Sequence, residues 1–271
     1  KAEEQLRLLD RMARFGKDDT LALLLQGDLE AAARSFRAVD VVRAKRNGES
    51  LPRESIDNFI DGVVTGQWPD YQISALLMAI VLRGMTPQET AWLTDALVRS
   101  GERLDLSDVP GPHVSFRSMG AVGDKVEIVV PCVAAACGVV VPTISGRGLS
   151  YLGGTLDKHE AIPGFRVNLS MEECRAVLRD VGCAIVSPSA SLVPADRRLY
   201  ALRDVTGSVE SIPLIAASMM SKAIASGDGA LVIDVKYGEG SFLKQRISAE
   251  ALAREIEAVG NLLSIAADVE L

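Results

Sequence analysis

Three stretches of the sequence bring together residue types able to handle an anion and a flat polar ring. In the first, Ser118-Met119-Gly120-Ala121-Val122-Gly123-Asp124-Lys125, two glycines and a hydroxyl run into a helical pattern. The second, Ser145-Gly146-Arg147-Gly148-Leu149, is followed closely by Gly153-Gly154-Thr155-Leu156-Asp157. Glycine lets the backbone approach a ligand, and the first turn of a helix offers unpaired N–H groups and a dipole that favours negative charge. The hydroxyls of Ser118, Ser145 and Thr155 can complete a cradle for an oxyanion or phosphate. A lone glycine cluster is most often a turn. Two in tandem, each with hydroxyls and each at a strand–helix junction, point to a phosphate site as readily as to turns. In the third stretch Tyr200 and Arg203 precede a predicted helix carrying Ser218 and Lys222, which are four apart and share one face. These side chains can donate to the carbonyls of a heterocycle and stabilise negative charge on it. The competing reading is a surface network in which Arg203 pairs with Asp204 or Glu210, and spacing alone favours that network.

The elements that must position these residues are legible in outline. The first hundred residues read as helical. Val39, Val42 and Ala44 extend a helical pattern that Asn47-Gly48 closes, and Pro52 opens the next helix through Ile56, Phe59, Ile60 and Val63. The run YQISALLMAIVL over 71–82 is apolar nearly all round, which suits the centre of a bundle. Thr86 and Glu89 form a capping box for a further helix. After the turn cluster DVPGP at 108–112, buried strands are predicted over 139–143, 184–186 and 230–235, with helices over about 171–180, 210–226 and 248–261. Alternating strands and helices predict an α/β layer with a mixed or parallel sheet flanked by helices. The segment around Ile212 resembles the N-terminal helices, so a separate helical domain, discontinuous in sequence, is expected. The division is an N-terminal helical extension over 1–36, a helical domain over 37–107 and 195–226, and an α/β domain over 108–194 and 227–271.

Composition excludes several classes of function. The chain has 271 residues and a formal net charge of −7, which argues against a general nucleic-acid binder. The apolar stretch 126–144 carries Glu127, Pro131, Gly138 and Pro142, so a buried helix followed by a buried strand is expected rather than a membrane span. Four cysteines, Cys132, Cys137, Cys174 and Cys183, lack metal-like spacing and are expected to be buried free thiols of a cytoplasmic protein. With only His113 and His159, no metal site is expected.

The motifs ISGRGLSYLGGTLDKHEAIPGF, YALRDVTGSVESIPLIAASMMSKAIASG, ALVIDVKYGEGSF and RAKRNGESL…YQISALLMAIVLRGMT resemble those of the thymidine and pyrimidine-nucleoside phosphorylases over residues 37–260. The resemblance implies a helical domain plus an α/β domain, paired as a homodimer through the helical part. It implies phosphate-dependent cleavage of a pyrimidine nucleoside to sugar 1-phosphate and free base, with phosphate as co-substrate and no cofactor. By the same likeness Tyr200, Arg203, Ser218 and Lys222 take the base-binding positions, and Ser118, Ser145 and Thr155 the phosphate-binding positions. Arg117, Arg203 and Lys222 are then the cations expected to serve catalysis, and Asp124 and Lys125 have a structural place.

Departures from the family pattern concentrate in one loop. Where the family carries Lys-His-Ser-Thr-Gly-Gly, this chain carries Phe116-Arg117-Ser118-Met119-Gly120-Ala121. Arginine keeps its charge and cannot serve as a proton donor at neutral pH. A family serine is replaced by Glu127, a carboxylate expected where phosphate should sit. Leu152 and His159 also depart from the pattern, the chain is short at its C-terminal end, and residues 1–36 are additional. Two alternatives to a phosphorylase follow: a hydrolase in which Glu127 activates water, and a non-catalytic homologue that binds a pyrimidine ligand or supports an assembly.

Overall fold

The structure, a computed structural model, describes residues 37–271 apart from Gly120, Gly123, Asp124, residues 149–152 and Asp228. The N-terminal extension expected over 1–36, the departure at Leu152 and the role expected of Asp124 lie outside the described residues.

Four helices come first: α1 (Ala38–Arg46), α2 (Arg53–Thr65), α3 (Asp70–Arg83) and α4 (Pro87–Arg99). Their ends follow from local sequence. Asn47 caps α1, and Gly48 takes the left-handed conformation at φ 90°. Pro52 is the N-cap of α2, one position ahead of its expected place inside the first turn. Thr86 accepts from the Glu89 backbone while the Glu89 carboxylate accepts from the Thr86 amide, completing the capping box of α4. Glu89 is also buried against Lys45, with Nζ donating over 2.8 Å, and receives the Leu51 amide over 2.7 Å. One carboxylate therefore ties α1, the α1–α2 connection and α4 together. In α3, Ile73, Leu76, Leu77 and Ile80 are fully buried, whereas Tyr71 and Leu82 at its ends are exposed. The helix therefore buries one broad face, and Ala75 in its middle is exposed as well, so its apolar composition does not translate into burial all round.

The α/β part follows: β1 (Val114–Ser118), α5 (Val126–Ala136), β2 (Val141–Ile144), α6 (Thr155–Glu160), α7 (Met171–Val181), β3 (Cys183–Val186), α8 (Pro194–Thr206), α9 (Ile212–Ala225), β4 (Ala230–Asp234), α10 (Arg246–Leu263) and β5 (Ala267–Glu270). All strand pairs among the described residues are parallel, in the orders β1-β4-β5 and β2-β3. The two sheets meet at a bridge between His113 and Val140, where the Val114 amide donates to the Val140 carbonyl over 2.9 Å. The chain leaves β1 toward β2 on one side, while β4 lies on the other. That reversal opens a crevice at the C-terminal ends of the strands, the usual ligand position in open parallel sheets.

Helices α8 and α9 join the two halves. Ala195 and Leu199 of α8 and Leu214 and Ala217 of α9 pack into the core of the first four helices. Ala216, Met219, Met220 and Ala223 of α9 pack instead against β4 and α10. A helix with cores on two sides has to be apolar nearly all round, which explains the composition of 212–225.

Two points differ from expectation. Tyr200 and Arg203 precede α9, which carries Ser218 and Lys222, as expected, but they lie in a helix of their own, α8, that is not expected from the sequence. Of the four free cysteines only Cys174 is buried; Cys183 is half-buried, and Cys132 and Cys137 are exposed because they sit on the solvent side of α5 with Val129 and Val133. No described helix is long and apolar enough to cross a membrane.

Candidate active site

Strand β1 ends at the crevice with Arg117 and Ser118. Successive strand residues face opposite sides. Arg117 lines the cleft, while Phe116 is buried and does not belong to its lining. The Arg117 guanidinium donates from Nη1 to the Ile144 carbonyl at the end of β2, pinning the two strand ends together. Burial pulls its pKa down, and the charges of Glu127 and Asp196 oppose that pull. Arginine remains a cation under these conditions and cannot supply a proton.

The second glycine loop leaves β2 at Ser145 and is held by one carboxylate. Asp157 Oδ2 accepts from the amides of Gly148 (2.7 Å) and Gly154 (3.0 Å). Arg147 in turn donates to Asp157 and to Glu160. Gly154 is required by close approach rather than by φ: a Cβ there would lie 2.2 Å from the Arg147 carbonyl carbon and the Gly148 nitrogen. Thr155, the first residue of α6, presents its hydroxyl at the cleft wall and donates it to Glu127 Oε2. Glu127 is 1% exposed on the first turn of α5 and stands behind Thr155, outside the cleft lining.

The opposite wall comes from α8 and α9. Asp196, Tyr200 and Arg203 share one face of α8, and Ser218 and Lys222 one face of α9. Lys222 Nζ donates to Ser218 Oγ over 2.6 Å and to the Ser218 carbonyl over 3.0 Å, and forms an ion pair with Asp196. It also lies 5.1 Å from the centroid of the Tyr200 ring. Burial lowers the Lys222 pKa, and Asp196 counters the shift. The Tyr200 phenol donates to the Arg147 carbonyl over 3.1 Å, and burial, aided by Asp196, pushes its pKa up to about 12. Arg203 donates from Nε to the Ser208 carbonyl, from Nη1 to that of Leu214 and from Nη2 to that of Val209. These contacts replace the pairing with Asp204 or Glu210 that spacing favours. A guanidinium carries five N–H groups, so each terminal nitrogen keeps one for a ligand.

Eight of the nine expected residues, Arg117, Ser118, Ser145, Thr155, Tyr200, Arg203, Ser218 and Lys222, line one cavity of about 80 Å³; Glu127 is the one that does not. A larger cavity of about 770 Å³ shares Gly146, Arg147, Gly148, Tyr200 and Lys222 with it, so the two adjoin along that wall. The cleft is lined by hydroxyls, glycine backbone and the cations Arg117, Arg203 and Lys222, with Asp196 as a buried counter-charge. Sequence reasoning missed Asp196, Arg147 and the apolar walls Met119, Met219 and Phe242. Asp196 follows Pro194 at a helix start, where an acidic residue reads as a complement to the dipole. His113 holds the Val109 carbonyl and His159 the Thr155 carbonyl, each over 2.8 Å, and no cluster of potential metal ligands occurs among the described residues.

Comparison with known proteins agrees with this layout. Residues 39–101 match the helical bundle domain of the glycosyl transferase family, and residues 113–261 match its α/β domain. The chain is 48% identical over 226 residues to pyrimidine-nucleoside phosphorylases of Staphylococcus epidermidis and Geobacillus stearothermophilus, across 83% of this chain and 52% of each relative. It therefore spans about half the length of the curated relatives it matches. The solved structure of anthranilate phosphoribosyltransferase from Thermus thermophilus shares the fold, with a TM-score of 0.62 at 21% identity over 82% of this chain and 63% of that one. The helical bundle, the parallel α/β layer and the two domain matches together make this chain a member of the glycosyl transferase family.

Proposed function

We propose that the chain carries the pentosyl-transfer site of a pyrimidine-nucleoside phosphorylase, cleaving the N-glycosidic bond of a pyrimidine (deoxy)nucleoside with phosphate to give sugar 1-phosphate and free base. The observation that carries this reading is the single cleft in which Tyr200, Arg203, Ser218 and Lys222 face the hydroxyls of Ser118, Ser145 and Thr155. As the glycosidic bond breaks, its electron pair passes into the base and charge grows on the base carbonyls. Arg203 and Lys222 are fixed in place before that charge appears, so they stabilise the transition state more than the ground state. Lys222, with its pKa lowered by burial, is the group that returns a proton to the departing base. At the other end Ser118, Ser145 and the glycine backbone bind phosphate, and Arg117 offsets its charge. The reaction closes with phosphate as its co-substrate and calls for no resident cofactor.

The same reading places the protein in the cytoplasm as a homodimer through the helical domain. The unbridged cysteines and the exposed apolar Val64, Tyr71 and Leu82 on α2 and α3 support it. The activity is tested by incubating the purified chain with thymidine, uridine or cytidine plus phosphate. Release of base together with an equal amount of pentose 1-phosphate is expected, and no release from any of the three would overturn the reading.

A further inference from the structure

We propose that this cleft also transfers the pentose to water, by a proton relay from the water to Thr155 and from Thr155 to Glu127. The proposal rests on the pentosyl-transfer reading above and changes the acceptor. A hydroxyl has one proton, and Thr155 gives its own to Glu127 Oε2, so toward the cleft Thr155 presents only lone pairs. Lone pairs repel a fully ionised phosphate oxygen and accept from an O–H. Thr155 is 6% exposed and lines the cleft, whereas Glu127 is 1% exposed and does not. Glu127 is therefore a base one hydroxyl removed from the reacting atoms. Arg117 and the first turn of α5 offset its charge. Direct attack on a water by Glu127, the arrangement expected from sequence, has Thr155 in its way; the relay does not.

The step balances without any further reactant. The water oxygen bonds to C1′ as the C1′–N bond breaks and its electron pair passes to the base, held by Arg203 and Lys222. The water proton moves to Thr155 Oγ1 while the Thr155 proton moves to Glu127. Lys222 protonates the departing base, and both groups re-equilibrate with solvent after release. Nucleoside and water become free pentose and free base. Thr155 is the catalytic residue of this step, and Glu127 acts through it as a positioning and proton-accepting residue.

The test uses the full chain with uridine in buffer freed of phosphate, following uracil and free ribose. Release of both in equal amounts is expected. Glu127→Gln, whose carbonyl can still accept the Thr155 hydroxyl, should lower kcat of this reaction on the order of 100-fold with KM and melting temperature little changed. Thr155→Val should do the same, and Thr155→Ser, which keeps the hydroxyl, should recover most of the rate lost in the valine variant. The serine–valine pair decides the matter even where the Glu127 variant fails to fold. Release that occurs only with added phosphate overturns the relay and leaves the phosphorylase reading standing. Release under neither condition overturns both. Parental phosphate-independent rates in both Glu127→Gln and Thr155→Val overturn the relay alone.

Discussion

Replacing Asp196 with asparagine probes the electrostatics of the site most sharply. In the folded chain Asp196 is 3% exposed and pairs with Lys222, which is likewise 3% exposed and, among the described residues, also held by Ser218 and the face of Tyr200. Asparagine keeps the shape and removes the charge, leaving Lys222 without its counter-ion and the nearby Arg117 with Glu127 alone. Breaking a buried ion pair by removing one partner costs about 3 kcal/mol at the low end, which for a chain of this size is on the order of 10 °C in melting temperature. The Lys222 pKa, already lowered by burial, falls further when the opposing Asp196 charge is lost. Fewer variant molecules then carry the ammonium that stabilises and protonates the leaving base, and kcat/KM should drop roughly 100-fold. The pH dependence has a defined sign. A folded Lys222 with a lowered pKa binds fewer protons than the unfolded chain, between that lowered value and the ordinary 10.5. Stability therefore rises with pH across that window, and the window is wider in the variant. Activity moves the other way, recovering as pH falls and Lys222 regains its proton. Thermal melts and base-release kinetics followed as pH is lowered from 10.5 measure both. A variant that melts within about 2 °C of the parent, well under the shift expected for a broken buried pair, and turns over at the parental rate refutes the pairing. The double variant Asp196→Asn with Lys222→Met should regain most of the stability and none of the activity.

Three further outcomes follow from named contacts. Arg203→Lys leaves one nitrogen to hold the carbonyls of Ser208, Val209 and Leu214, so a loss of about 3 kcal/mol and a roughly tenfold rise in KM are expected in melting and kinetic assays. For Glu89, burial raises the pKa, but the Leu51 and Thr86 amides and Lys45 outweigh it and leave the net value below 4.5. Its contribution to stability is complete above pH 4.5 and is lost as pH falls through the lowered value, so acid titration of wild type should show a loss that Glu89→Gln lacks. Thiol labelling of the native chain should modify Cys132 and Cys137 promptly and spare buried Cys174, whose pKa burial raises to about 11; labelling of Cys174 at the same speed would contradict the packing of α7.

Features that one local signal controls are legible in the sequence. The capping box at Thr86 and Glu89, the Asn47-Gly48 stop and the apolar period of 212–225 each follow from a spacing of four residues or fewer. Strand β1 is not delimited by its sequence, because VSFRS is short and its one long polar side chain turns inward to the Ile144 carbonyl, a tertiary contact. Helix α8 escapes recognition because ADRRLYALRDVT carries its buried face partly in charged residues, Asp196 and Arg203, that read as surface. The cysteines mislead because an apolar run says nothing about which side of α5 faces solvent. In the site, residue types and the family motifs together name eight cleft residues, whereas the position of Glu127 behind Thr155 depends on how α5 and α6 meet.

The most direct measurement is base release from a pyrimidine nucleoside by the full chain, with and without added phosphate, with the sugar product identified in each case. The account predicts free base in both reactions, a faster rate with phosphate, and pentose 1-phosphate appearing only when phosphate is present. Absence of base release under both conditions would contradict it.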